Sequence, residues 1–196
     1  MKQFLFALFC VPALIAQAGN LNESAPVIEN AKAGFTWQDT IIPVKLKLEK
    51  TNFGDMVVLF IKDTALTTSD IQPLIFKGYG ELMQFMDANQ LKPLKFMAWY
   101  YATQAPWPFD IAIEADQKPA QVSGRIQSRI QAGGEVIIVH MWGPYDQAGQ
   151  AYEQIDKWLQ ENNRKAKGWP FEVYINDPST VKDPSEIQTD IYQPIE

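Results

Sequence analysis

One acid, Glu172, stands in the middle of GWPFEVYINDP (168–178), a bulky stretch that reads as a strand running into a turn. A carboxylate among aromatic rings can offset the charge of a bound cation whose apolar body stacks on those rings, or it can move a proton as a general acid or base. Tyr174 follows at strand spacing, and Trp99 and Tyr101 stand two apart in FMAWYY (96–101). Phe60, His140 and Trp142 occupy alternate positions of two further apolar strands. Glu172, Tyr174, Trp99, Tyr101, Phe60, His140 and Trp142 are therefore the candidate ligand-binding residues, and Glu172 with Tyr174 and Tyr101 is the catalytic set if the chain is a hydrolase. No metal or cofactor is expected: a zinc site wants about four ligands, and His140 is the single histidine.

Composition removes most other chemistries. The chain has 17 basic and 23 acidic residues, a net charge of -6, which makes nucleic acid a poor partner. There is no P-loop and no G-x-S-x-G, and the GYG at 78–80 lies within a helical pattern without a third glycine. At the start, MKQFLFALFCVPALIAQAGN has one charge at Lys2, an apolar run from Phe4 to Ile15, and alanines at 16 and 18 in A-x-A spacing. That pattern predicts a signal peptide over 1–18, a mature chain from Gly19, and a periplasmic or secreted location without a membrane anchor. Cleavage would remove Cys10, the only cysteine, and with it disulfide and thiol chemistry. A polar segment follows over 19–40, and 41–196 reads as one domain.

The elements that must position the candidate residues are duplicated. VKLKLEKTNFGDMVVLFIKD (44–63) lies over GRIQSRIQAGGEVIIVHMWG (124–143) with Gly54 on Gly134, giving strand, glycine turn, strand in both. A helix-period stripe follows each, opened by Ser69 in the first half and Asp146 in the second. Aligning Tyr79 with Tyr152 carries FMAWYY onto WPFEVY (169–174), and one more strand closes each half. The predicted fold is α+β: two β-α-β-β units, about 44–117 and 124–196, with antiparallel sheets, one main helix per repeat, and a pseudo-twofold with a cleft between the repeats.

Alternation assigns faces. Val57, Leu59 and Ile61, with Ile137, Val139 and Met141, are the apolar sets expected to pack on the helices. The repeat alignment then puts Ala98, Tyr100, Phe171 and Val173 on the helix side, and Trp99, Tyr101, Glu172 and Tyr174 on the face away from it.

HMWGPYDQAGQAYEQIDKWLQENN, followed by GWPFEVYINDP and TDIYQPI, resembles the second repeat of the GyrI-like domain, the effector-binding module also attached to AraC- and MerR-type regulators. The resemblance covers most of 44–196. It implies a small-molecule pocket between the repeats, with Glu172 as its glutamate, and ligands that are often cationic and aromatic. Hydrolysis of strained-ring compounds is a second activity the resemblance allows. Haem binding is a third, through the related fold of SOUL-type proteins.

Overall fold

A computed structural model describes residues 43–196. The expected signal peptide and the polar segment over 19–40 lie outside the described residues. Strands β1 (Lys45–Phe53) and β2 (Met56–Ala65), helix α1 (Thr68–Ala88), and strands β3 (Pro93–Tyr100) and β4 (Trp107–Ala115) form the first half. Strands β5 (Gln127–Gln131) and β6 (Gly134–Trp142), helix α2 (Gly149–Glu161), and strands β7 (Phe171–Tyr174) and β8 (Gln188–Pro194) form the second. All eight strands join one antiparallel sheet in the order β1-β6-β8-β7-β3-β4-β2-β5. Exchanging the halves, β1 with β5, β2 with β6, and so on, leaves that order unchanged, an equivalence of connectivity. The halves meet edge to edge at β3 and β7.

Helix α1 is capped two residues before the expected Ser69. Thr67 is its N-cap, and the Thr67 amide donates to Asp70 Oδ2 at 2.8 Å, which satisfies a donor that no helical carbonyl reaches. Asp146 does not cap α2 directly. It lies in a short 3-10 turn, Tyr145–Gln147, ahead of the helix.

Chain connections force the sheet to curl. Only Gly54 and Asp55 join β1 to β2, so Cα atoms 53 and 56 are at most about 11 Å apart. A flat sheet would separate these strands by six strand spacings, roughly 29 Å. The edges must therefore come together at this end. They do so at a seam where the Gly133 amide donates to Asp55 Oδ1 at 2.8 Å. The helix-free face is thereby turned inward and filled: Val58, Met97 and Ala112 are fully buried, Trp99 and Phe60 nearly so. Trp99 stacks on Phe171 at 4.6 Å, and Phe171 on Tyr192 at 5.0 Å. Each such large apolar side chain contributes about 1.5–3 kcal/mol by leaving water.

No side chain fits at the seam. A Cβ on Gly133 would lie 2.3 Å from the Phe53 carbonyl oxygen and 2.7 Å from the Gly54 carbonyl carbon, both backbone atoms that cannot rotate away. Gly133→Ala is expected to destabilise the protein by about 2 kcal/mol or more, with a lower urea midpoint as the readout. An unchanged midpoint would mean that the edges can part without cost.

Candidate functional site

Both helices pack on the outer, convex face. The strand registers define a row across the sheet, Leu48, Val139, Ile191, Glu172, Ala98, Ile111 and Ile61, whose side chains share one face. Helix α1 lies over Ile111 so closely that a Cβ on Gly78 would be 2.5 Å from Ile111 Cδ1, and glycine is what permits that approach. Helix α2 covers Val139 and Ile191 through Ala151 and Ile155. Glu172 is the one ionisable residue of the row and sits at its middle, between the two helix footprints.

That placement corrects the expected faces. Glu172 and Tyr174 lie on the helix side with Ala98 and Phe96, their register partners. Phe171 and Val173 point inward with Trp99. The repeat alignment put this strand on the wrong face: the link after α1 has four residues (89–92) and the link after α2 has nine (162–170), and an odd difference exchanges the two faces of a strand. A slip of one residue reverses every side chain of a strand.

Tyrosines surround the acid. Tyr152, from α2, donates to Glu172 Oε1 at 2.9 Å, and Tyr174 donates to Oε2 at 2.8 Å. The Tyr100 and Tyr174 hydroxyls are 3.4 Å apart; since the Tyr174 hydroxyl donates its proton toward the carboxylate, Tyr100 is the donor of this pair. Tyr145, partly exposed, meets Tyr174 edge to face at 5.6 Å. Tyr79, from α1, is buried and donates to the Met97 carbonyl at 3.0 Å. Five of the seven tyrosines thus gather here.

Burial raises the Glu172 carboxyl above its ordinary value near 4.5, and the hydrogen bonds from Tyr174 and Tyr152 offset only part of that rise. Burial and the neighbouring Glu172 charge hold the hydroxyls of Tyr152 and Tyr174 well above the usual tyrosine range. Tyr145 is pushed up to about 12, by burial first and then by Asp177 and Glu172. The tyrosines stay protonated, as donors. The arrangement can hold a positive group against Glu172 or exchange a proton with it, within walls of aromatic rings.

The other candidates are on the inner face. Trp99 and Phe60 are core residues there. Tyr101 donates to Asp110 Oδ2 at 2.7 Å. His140 Nδ1 is 2.9 Å from Asp190 Oδ1 and its Nε2 is 3.6 Å from Glu49 Oε2. Trp142 lies beside His140, with the Lys45 ammonium 4.8 Å from its ring. None of these five joins Glu172, which corrects the single cleft expected from the sequence. Among the described residues no cluster of three or more His, Cys, Asp or Glu side chains is arranged to hold a metal ion. Tyr79, Tyr100, Tyr145 and Tyr152 were not candidates. The signal for two of them was the alignment of Tyr79 with Tyr152, polar-tipped residues repeated on otherwise apolar helix stripes.

One eight-stranded antiparallel sheet with two helices on one face, and a buried acid among phenols between them, makes up this α+β domain. The chain belongs to the GyrI-like small molecule binding domain family, whose model matches residues 58–196. It is 28% identical over 110 residues to a DNA gyrase inhibitor of Citrobacter koseri, covering 52% of this chain and 71% of that protein. The fold is similar to the C-terminal domain of EcmrR, with a TM-score of 0.69 at 19% identity, covering 77% of this chain and 98% of the domain. Against EcmrR in a complex with DNA the TM-score is 0.68 at 18% identity over 81% of this chain, which spans 59% of that chain. A structure of SAV2435 bound to tetraphenylphosphonium is similar with a TM-score of 0.52 at 14% identity, covering 76% of this chain and 94% of that one.

Proposed function

We propose that this domain binds a lipophilic aromatic cation on the helix side of the sheet, between α1 and α2, with Glu172 as the counter-charge and Tyr100, Tyr145, Tyr152 and Tyr174 as its walls. The observation that carries this reading is the buried Glu172 carboxylate, which has hydroxyl donors and, among the described residues, no basic side chain within ion-pair distance. Burying an acid in this way costs free energy, and a cationic ligand offsets that cost. Ring faces supply the rest through stacking and cation–π attraction. The tetraphenylphosphonium complex of SAV2435 supports the ligand class.

Calorimetric titration tests this, with tetraphenylphosphonium set against triphenylphosphine oxide, a neutral molecule of similar bulk. The cation should bind at least about tenfold more tightly. Equal affinities would remove Glu172 from ligand selection.

Export is the second part of the proposal: a carrier or sensor that works outside the cytoplasm after cleavage behind Ala18. The charge, apolar run and A-x-A spacing of residues 1–18 support it. Mass spectrometry of the protein from its native host is expected to find Gly19 as the first residue. An intact Met1 would overturn this part and leave the ligand reading standing.

A further inference from the structure

We propose, on the reading of Glu172 as the counter-charge, that Ala98 sets the size of the cation the site takes, and that the charged centre of the ligand carries several aromatic rings. Ala98 is the direct register partner of Glu172 across β3 and β7, and side chains paired in this way have Cβ atoms about 4.5–5.5 Å apart. Ala98 is also the one small residue of its row. The other apolar positions, Leu48, Val139, Ile191, Ile111 and Ile61, are all branched aliphatics. Along this row the sheet therefore dips beside the acid and nowhere else.

Helix contacts fix the width of the dip. Helix α1 bears on Ile111, where Gly78 leaves no room for a Cβ, and α2 bears on Ile191. Ile191 and Ile111 stand three strand spacings apart, about 14 Å, with only Glu172 and Ala98 between them in the row. Tyrosines cover this floor. Tyr174 lies opposite Phe96, on one side of the Glu172–Ala98 pair, and Tyr100 lies two residues beyond Ala98 on the other side. Their hydroxyls meet at 3.4 Å, so the two rings reach toward each other over the pair. That separation exceeds an ordinary hydroxyl hydrogen bond, and parting them costs little. A ligand that parts them gains the space above Ala98, which is fully buried in their presence. A phosphonium with four rings must seat one ring on Ala98 to bring its charge near Glu172, whereas a trimethylammonium reaches the acid with methyl groups alone. The size of residue 98 therefore matters to the first and little to the second.

Tetraphenylphosphonium and benzyltrimethylammonium, both monocations, are the probes, titrated by calorimetry against the parent, Ala98→Val and Ala98→Gly. The parent should prefer tetraphenylphosphonium, whose rings meet more of the tyrosine walls. Ala98→Val should lower tetraphenylphosphonium affinity about tenfold and leave benzyltrimethylammonium within about twofold. Ala98→Gly should raise the ratio of the two affinities about threefold in favour of tetraphenylphosphonium, which keeps the test open if the valine variant does not fold. The ratio is the readout because a merely structural role for Ala98, holding the tyrosines in place, would lower both affinities in proportion. An unchanged ratio in either folded variant, with binding intact, would overturn this inference alone. Failure of the parent to bind either cation would overturn it together with the reading of Glu172.

Discussion

Glu172→Gln should lower affinity for an aromatic monocation at least about tenfold and leave a neutral aromatic ligand within about twofold. Removing one partner of a desolvated charge pair costs on the order of 2–5 kcal/mol, and each 1.4 kcal/mol is a factor of ten. The amide keeps the shape and still accepts one hydroxyl proton, so contact area changes little. pH gives an independent signature. Binding a cation needs the ionised carboxylate, and burial has raised its pKa in the free protein. Affinity should therefore rise with pH up to that raised pKa, with one proton released per ligand bound, and level off above it. Stability should run the other way. The folded state favours the protonated acid, so the contribution of this group is greatest below its unfolded pKa near 4.5 and is lost as pH rises through the folded value. Glu172→Gln should abolish both trends. Calorimetry across pH 4.5 to 8 in two buffers of different ionisation enthalpy measures the proton release directly. Equal cation affinity in parent and variant would show that Glu172 is a structural acid. Conversion of a reactive ligand by the parent, lost in the variant while binding persists, would identify a hydrolase, since a general acid or base mainly serves the transition state.

Arg129→Met should be the most destabilising change on the inner face. Asp110 is 1% exposed, and its partners are Tyr101 and Arg129. Removing the guanidinium leaves a buried carboxylate without its cation, a loss of about 3–5 kcal/mol. Methionine occupies similar space between Phe60 and Trp99, so the electrostatic effect dominates over packing. For a domain of this size the melting temperature should fall by roughly 10 °C. Adding Asp110→Asn should recover most of it, because the charge that lost its partner is gone. Thermal and urea unfolding of the two single variants and the double variant form the cycle. A single Arg129→Met variant within about 1 kcal/mol of the parent would mean that water already solvates Asp110.

Element order follows from local signals in the chain, whereas strand faces do not. Local signals carried the order of elements: glycine at Gly54 and Gly134 between apolar alternations, helix-period stripes after them, and closing strands all lie where the residue types put them. Glu172 was legible as a lone acid in a strand, and the helix-side sets Leu59, Ile61, Val139 and Met141 were legible from their uninterrupted apolar character. These follow from periods of two and 3.6 residues, which act over a few positions.

Three matters were settled by contacts distant in sequence. The pairing of Ala98 with Glu172 across β3 and β7 set which face the acid occupies, and no signal within 168–178 reports its partner. The α-to-β links, four residues at 89–92 in one half and nine at 162–170 in the other, differ by an odd number, which reverses the faces of the strand that follows. The two short connections through Gly54 and Gly133 closed the edges of the sheet, so Trp99 and Phe60 became core and the tyrosines of both helices became the walls around Glu172. By itself the sequence determined which segments alternate and where the acid stands along the chain. Only the tertiary structure decided what the acid faces, because side-chain direction in a strand depends on a register that remote partners impose.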